Sequence, residues 1–586
     1  MSRIDMTANQ QLPNSHVAPQ EACYSVSNNA NRALKILLQA SQSELPTEFF
    51  RYSKDVVFDG RSTTGDSVCF PCPLRQQEAC AALKALEGCA VAAIADLQRK
   101  KCYRKIIVSL EQVTCFLMSA YITTLDGLDK SNPKIRDRLP DTDLHDAQSI
   151  LYRRLSAGLY ETRNAGVFYH IHGSLDASTT LSMIGLPPFL PGLTDYGQCI
   201  KTIESSVKRF STSELELRNQ RFRQAGVAAL TQEQYRETPH GRTLNSLPPY
   251  TIRSLEESTP PIPFEGQENR AERYQCLRGI RVIELCRVIA GPTIGRSLAA
   301  HGASVLKVTS PQIPDVPFFQ LDVNFGKHAT SLHLKDPADR AIFDALLVTA
   351  DVIIDGYRPG VIARLGYSPE VLALKAAQRR RGVIYVAEDC FGGSGVPGAE
   401  WSGRAGWQQI ADCVTGVAWE QGSFMGLNEP VVPPFPMSDY GTGSLGTIIA
   451  LAGIYRRAIQ GGSWICHCSL SQYNLFLLSL GSYPTEVQDE LRRLHDPRFF
   501  ELRHSDSVDE VGKRALHSIR RLHPRLFTDS VMQSTYSAGF DGIVRWPREA
   551  LDVDGLRIGH VRATRPNGFD NPTWEGWEED KTLLDA

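Results

Sequence analysis

The sequence predicts an α/β protein whose core is a parallel sheet covered by helices on both faces, joined to a smaller α+β domain. Three observations carry this expectation. Beyond residue 270, short apolar runs of strand length alternate with stretches of helical periodicity, the pattern of a buried parallel sheet. Before residue 258 helical patterns dominate, and between the two regions Ser258-Thr-Pro-Pro-Ile-Pro-Phe-Glu-Gly-Gln-Glu-Asn-Arg270 breaks all periodicity and reads as a linker. The chain has 586 residues, 42% hydrophobic and 22% charged, room for a sizeable core in about three to four average domains or two large ones.

In order along the chain, residues 1–25 are polar and aperiodic and read as a disordered leader. Residues 26–257 form the N-terminal unit. There Glu78-Ala-Cys-Ala-Ala-Leu-Lys-Ala-Leu-Glu-Gly88 has helical spacing with glycine as its stop, Ile106-Ile-Val-Ser-Leu110 reads as a strand, and Cys115-Phe-Leu-Met-Ser-Ala-Tyr121 as a buried helix. Residues 204–225 are charged and amphipathic, a solvated helix pair. After the linker, residues 271–586 open with a strand at 280–285, a turn at Ala290-Gly-Pro-Thr293, a helix at 294–300 closed by His301-Gly302, and a strand at 303–308. This βαβ unit is followed by a helix at 337–350, a strand at 352–355, a basic helix at 371–381 and a strand at 383–386, which makes the sheet Rossmann-like. Such sheets bind ligands at the carboxyl ends of their strands, so the turn Arg287-Val-Ile-Ala-Gly-Pro292 is a binding candidate. It is not a Gly-x-Gly-x-x-Gly loop, and a nicotinamide dinucleotide is not expected.

Lys and Arg number 63 against 65 Asp and Glu, so no charge excess calls for nucleic acid or an anionic membrane as partner. No apolar run approaches the ~20 residues of a bilayer span, and neither terminus carries a recognisable address, so the expected location is cytoplasmic. Fourteen cysteines without a secretory signal fit reduced, buried thiols. Cys69-Phe-Pro-Cys72, Cys466-His467-Cys468 and His170-Ile-His172 each lack further ligands at metal-site spacing, and no metal is expected.

The chemistry is expected at Val432-Pro-Pro-Phe-Pro-Met-Ser-Asp-Tyr-Gly-Thr-Gly-Ser-Leu-Gly446. Prolines stiffen the approach to Asp439, and Gly441, Gly443 and Gly446 allow another backbone or a large ligand to come close before an apolar helix from Thr447 to Ile454. A carboxylate held there can act as a nucleophile; the plainer alternative is that Asp439 caps the helix N-terminus.

Residues 277–480 resemble the family III CoA-transferases, the CaiB/BaiF group that includes formyl-CoA:oxalate transferase, carnitine CoA-transferase and α-methylacyl-CoA racemase. The resemblance rests on motifs in the family's order: Gly279-Ile-Arg-Val-Ile-Glu-Leu-Cys-Arg-Val-Ile-Ala-Gly-Pro292, His301-Gly-Ala-Ser-Val-Leu-Lys-Val308, Asn324-Phe-Gly-Lys327, Asp355-Gly-Tyr-Arg-Pro-Gly-Val-Ile-Ala-Arg-Leu-Gly366, Gly403-Arg-Ala-Gly-Trp-Gln-Gln409 and Pro436-Met-Ser-Asp-Tyr-Gly-Thr-Gly443. It implies that Asp439 is the nucleophile and that Val288, Ile289, Ala290, Tyr357, Arg358 and Arg364 contact CoA, which enters as a thioester substrate with no tightly bound cofactor. Lys327 also reaches phosphate in one reading, and is a solvent-exposed lysine in the other.

The departures shape the expected activity. Trp407 stands where the racemases carry a histidine base, and Gln408 where relatives carry a carboxylate. Transfer of CoA from an acyl-CoA to a carboxylic acid needs no second base: Asp439 forms a mixed anhydride, then an aspartyl-CoA thioester, with backbone N–H groups near Gly441 to Gly443 and the Gln408 amide as donors to the oxyanions. Racemisation of an acyl-CoA, or acyl-CoA binding without catalysis, are the alternatives. Pro71-Cys-Pro73, Ala85-Leu-Glu-Gly88, Val108-Ser-Leu-Glu-Gln112 and Phe116-Leu117 run parallel to Pro434-Phe-Pro436, Ala450-Leu-Ala-Gly453, Cys468-Ser-Leu-Ser-Gln472 and Phe476-Leu477. The expectation is a doubled chain of two family-III-like halves, the N-terminal one degenerate, acting as a monomer with pseudo-dimeric halves or as a homodimer.

Overall fold

In the computed structural model, which describes residues 24–60, 66–99, 103–264, 273–577 and 580, seven strands form the largest sheet. They are Thr251–Glu256 (β1), Arg281–Leu285 (β2), Ser304–Thr309 (β3), His328–Ser331 (β4), Val352–Asp355 (β5), Ile384–Asp389 (β6) and Ser463–Ser469 (β7), in the spatial order β4-β3-β2-β5-β6-β7-β1. Neighbours run parallel except β7 and β1, which are antiparallel. Val282, Ile283, Val305, Leu306, Val352, Ile354, Ile384 and Val386 are all buried, as strands covered on both faces require. The order reverses between β2 and β5, so the loops after these two strands diverge and leave a crevice. The edge strand β1 lies before the linker in sequence. Most of the expected leader (1–23) and half of the linker (265–270) fall outside the described residues, while 258–264 is irregular and tethered by Gly462 N–H to the Thr259 carbonyl at 3.0 Å.

Four helices position the site: Gln76–Arg99 (α1), Ala290–Ala300 (α2), Gln408–Thr415 (α3) and Met437–Gln460 (α4). Helix α4 packs on β6 and β7 and against both α2 and α1. Its small residues are there for these contacts. A Cβ on Gly443 would stand 2.5 Å from Thr293 Cβ and 2.9 Å from the Ala290 carbonyl oxygen, and one on Gly446 2.3 Å from Ile294 Cδ1. The run from Gly441 to Gly446 therefore lies inside a helix that begins ten residues before Thr447, and the backbone it admits is that of α2. Likewise α2 starts at Ala290, because Pro292 in a first turn loses no hydrogen bond the helix needs. Gly88 does not stop α1: it sits mid-helix, where a Cβ would be 2.7 Å from Ile106 Cγ2. Residues 115–121 are split between helices Leu110–Leu117 and Ser119–Ile122.

The N-terminal unit contains α1, strand Ile106–Ser109 and helix Leu110–Leu117, in the same order as α4, β7 and helix Leu470–Ser479. Ser109 and Ser469 cap the following helices by accepting from the N–H groups of Gln112 and Gln472. Strand Ile106–Ser109 pairs with Val56–Asp59 and with Leu551–Val553, and Thr124–Leu125 pairs with Gly542–Pro547, so late residues complete early sheets. A separate antiparallel sheet, Ala157–Glu161, Phe168–His172 and Ala225–Ala228, carries helices Tyr196–Val207 and Thr212–Phe222, whose buried faces present Cys199, Ile203 and Leu215.

Candidate active site

Asp439 is the third residue of α4. The chain reaches it through Pro433, Pro434 and Pro436, with Phe435 at φ 63° in the left-handed region that non-glycine residues avoid. Pro436 is the N-cap and no side chain caps the helix, so Asp439 is not spent on capping. Its carboxylate hydrogen-bonds to no described residue and opens into a cavity of about 1300 Å³. Burial first, and then the charge of Asp412, push its pKa well above the carboxylate range.

Asp412, on α3, is fully enclosed. It accepts from Ser438 Oγ at 2.8 Å, Asn474 Nδ2 at 2.9 Å and Gln408 Nε2 at 2.9 Å, and burial lifts its pKa to about 6 against the pull of those donors. The Gln408 amide gives its other proton to the Phe435 carbonyl at 3.1 Å, and Gln408 is not among the cavity-lining residues. It braces the two chain segments that enter the site and has no proton left for a reacting oxygen. On the far side of Asp439, the Tyr440 hydroxyl donates to Asp322 Oδ2 at 2.7 Å and accepts from the Ala120 N–H at 2.8 Å.

The cavity runs along the carboxyl ends of β2, β3, β5 and β6, at the reversal of strand order. Val288, Ile289, Ala290, Tyr357, Arg358, Arg364 and Asp439 all line it. Val288 has φ 69°, a left-handed conformation costly for a β-branched residue, and its N–H goes to Asp315 Oδ1 at 3.2 Å. With Pro292 lacking an N–H and the Thr293 N–H bonded to the Ile289 carbonyl, the Ala290 and Gly291 N–H groups are the unbonded donors of the α2 terminus. Arg287 reaches over the Tyr357 ring, 5.5 Å from its centroid, and Arg287, Arg358 and Arg364 form no ion pair among the described residues. Three guanidinium groups without counter-ions beside a helix N-terminus and an aromatic face suit the phosphates and adenine of a nucleotide.

Two expected donors take other places. Lys327 is wholly buried, donating to Glu284 Oε2 at 2.6 Å and the Pro292 carbonyl at 2.7 Å, so it holds α2 to the sheet and meets neither phosphate nor solvent. The N–H groups of Gly441 to Gly443 lie within α4, where the helical ladder takes them; the free ones are those of Met437, Ser438 and Asp439, because Tyr440 N–H already reaches the Pro436 carbonyl. Trp407 lies in the lining with its indole N–H on Ser174 Oγ at 2.9 Å and its ring stacked on His172 at 5.4 Å, and burial drops His172 to about 4. The indole has no basic nitrogen, and His172, whose Nδ1 accepts from the Ser174 N–H at 2.9 Å, is not among the lining residues.

Sequence reasoning placed Arg287 only as the first residue of the candidate turn, and passed over Glu388 and the N-terminal unit's contribution of His145, Ser174, Asp176 and Arg223, all of which line the cavity. Arg287 and Glu388 had a signal, since both stand at or just after the carboxyl end of a predicted strand. The described cysteines are free and buried, no group of three or more His, Cys, Asp or Glu among the described residues can hold a metal, and no described helix is long and apolar enough to cross a membrane.

Residues 277–491 match the description of CoA-transferase family III. An acetyl-coenzyme A transferase of Hypoxylon pulicicidum, nodX, is 32% identical over 573 residues, covering 92% of this chain and 91% of that protein. An acyl-CoA transferase of Gibberella moniliformis is 30% identical over 522 residues, 85% of this chain and 89% of that one. Among solved structures, a CAIB/BAIF family protein from Brucella suis aligns with 35% of this chain and 56% of its own at 26% identity and TM-score 0.29, a likeness too distant to place any residue.

Proposed function

The chain belongs to CoA-transferase family III, and from that premise we propose that it moves CoA from an acyl-CoA thioester to a carboxylic acid through covalent intermediates on Asp439. The observation that carries this reading is the Asp439 carboxylate itself, which opens on the cavity without a hydrogen-bond partner. A carboxylate so poorly solvated is a stronger nucleophile than one in water. It attacks the donor thioester carbonyl, the carbon–sulfur bond breaks, and a mixed anhydride remains; the CoA sulfur then adds to the aspartyl carbonyl and releases the donor acid. An acceptor carboxylate reverses these steps. The first-turn N–H groups of α4 supply hydrogen bonds to the oxyanions in place of the glycine run and Gln408.

The two relatives, an acetyl-coenzyme A transferase and an acyl-CoA transferase, support an acyl-CoA donor. The CoA phosphates lie on Arg287, Arg358, Arg364 and the α2 terminus in this reading, with Arg223 of the N-terminal unit closing the other wall. That unit takes the place of a second subunit, so a single chain holds one complete site. Intact-mass measurement after incubation with a panel of acyl-CoA thioesters tests the proposal: an acyl or CoA adduct forms on the protein and is absent in Asp439→Asn. No adduct and full turnover in Asp439→Asn would refute it.

A further inference from the structure

Glu388, the penultimate residue of β6, is 8% exposed and lines the same cavity as Asp439. The turns at Gly356 and Gly291 approach it: a Cβ on Gly356 would be 3.3 Å from its Oε2, and one on Gly291 3.5 Å, with Cys286 Sγ beside both. It therefore stands between the turns that follow β2 and β5, at the reversal of strand order. The next residue is accounted for, since Asp389 accepts from His467 Nε2 at 2.8 Å and from the Gly392 N–H at 2.6 Å. Glu388 has neither a hydrogen bond nor an ion pair among the described residues.

A carboxyl group enclosed in this way holds its proton. Burial, then the charges of Asp389, Asp439 and Asp355, raise its pKa well above the ordinary glutamate value, and nothing cationic offsets them. The Asp439 charge is among the causes that raise Glu388, whereas Asp439 is raised by burial and Asp412, so Asp439 gives up its proton first and the cavity then holds a carboxylic acid beside a carboxylate. The environment sets the two groups to different tasks.

We propose that Glu388 is a catalytic residue, a general acid–base that carries one proton to and from the CoA sulfur. This rests on the covalent reading of Asp439. As the tetrahedral adduct collapses, the carbon–sulfur bond breaks with its electron pair on sulfur, and the Glu388 proton moves to that sulfur, leaving the glutamate ionised. Glu388 then takes the proton back as the sulfur attacks the aspartyl carbonyl, so the proton begins and ends on the same carboxyl group. Without this transfer a thiolate would have to form in a cavity that Asp389 also lines.

The test compares wild type, Glu388→Gln and Glu388→Asp on an acyl-CoA and on an acyl thiophenyl ester, whose leaving thiol is acidic enough to depart unprotonated. Glu388→Gln is expected to lose about 100-fold or more in adduct formation from acyl-CoA and less than about 10-fold from the aryl ester, with Glu388→Asp in between. It also loses the fall in wild-type rate at high pH that marks deprotonation of the acid. Equal losses on both esters, or none, overturn the proposal. Should Glu388→Gln fail to fold, Glu388→Asp and the high-pH limb of wild type carry the same comparison, and an unaltered high-pH limb in Glu388→Asp with equal rates on both esters overturns it. Asp439→Asn run alongside separates the two readings: if it still forms adduct the covalent reading fails, whereas if it forms none while Glu388→Gln behaves as wild type only the proton-shuttle reading fails.

Discussion

The Tyr440 hydroxyl donates to Asp322 Oδ2 at 2.7 Å and accepts from the Ala120 N–H at 2.8 Å, which fastens the residue next to Asp439 to the N-terminal unit. Asp322 is wholly buried and pairs with Arg296 of α2 at 2.6 Å, while the Ser119 hydroxyl donates to its other oxygen. The Ala120 N–H completes the set on the Tyr440 oxygen. Helices α2 and α4 and the Ser119 turn thus meet at one buried polar network whose members are all satisfied.

Tyr440→Phe leaves both the Ala120 N–H and one Asp322 oxygen short of a partner. Urea unfolding is expected to show a loss of about 1–3 kcal/mol, with kcat lowered while KM for acyl-CoA changes little. Wild-type stability would show that this network does not hold the start of α4.

Asp439→Asn keeps the shape of the side chain and cannot form an anhydride. Transfer is expected to fall by about three or more orders of magnitude, while CoA binding by calorimetry stays near wild type, because the arginines and the α2 terminus are untouched. Substantial turnover in the purified variant removes Asp439 from the mechanism.

The pH dependence follows from the raised pKa of Asp439, which must be ionised to attack. Activity is expected to rise with pH along a limb above the ordinary carboxylate range. The ionised Asp412 opposes ionisation of Asp439, so removing that charge lowers the Asp439 pKa and moves the limb to lower pH in Asp412→Asn. The variant can be accommodated: Asn474 Oδ1 has no partner among the described residues, and turning that amide over offers an acceptor to the new Asn Nδ2. A limb that stays put or moves upward contradicts this assignment.

Gly443→Ala places a methyl group 2.5 Å from Thr293 Cβ and 2.9 Å from the Ala290 carbonyl, at the point where α4 crosses α2. Since one of these atoms is backbone, the helices have to part. A loss of about 1–3 kcal/mol on thermal or urea unfolding is expected, together with a raised KM for acyl-CoA from displacement of the α2 terminus.

Expressed alone, residues 271–586 lack Thr124–Leu125 beside Gly542–Pro547, the partner of Leu551–Val553, the edge strand β1 and the helix α1 that covers α4. The fragment is expected to be insoluble or inactive and to recover on co-expression with residues 1–265. A soluble, active fragment shows that the site needs nothing from the N-terminal unit.

Much of this was legible in the sequence because it depends on local pattern. The apolar runs of β2, β5 and β6 name themselves, and the family motifs placed six cavity residues and Asp439 without coordinates. What escaped depends on pairing between distant segments. Gly88 and Gly443 read as a stop and a ligand approach because the strand and helix they touch, at Ile106 and Thr293, are set by packing. Lys327 read as phosphate-reaching or exposed because its buried partner Glu284 lies more than forty residues away on another strand. Gln408 had the right chemistry for an oxyanion donor, and only the positions of Asp412 and Phe435 reveal that both its protons are engaged.

The pairing of Ile106–Ser109 with Leu551–Val553, and of β1 with β7, also sets a timetable for biogenesis. When the ribosome has made the first 260 residues, two strands have edges whose partners will not exist for some two hundred to three hundred residues more. The nascent chain must carry those unpaired edges, and the bare face of α1, through most of its own synthesis. At about 5–20 residues per second that wait lasts tens of seconds, long enough for exposed edges to find other chains. The yield of folded protein is therefore governed by protection of the early half during translation as much as by the stability of the finished molecule.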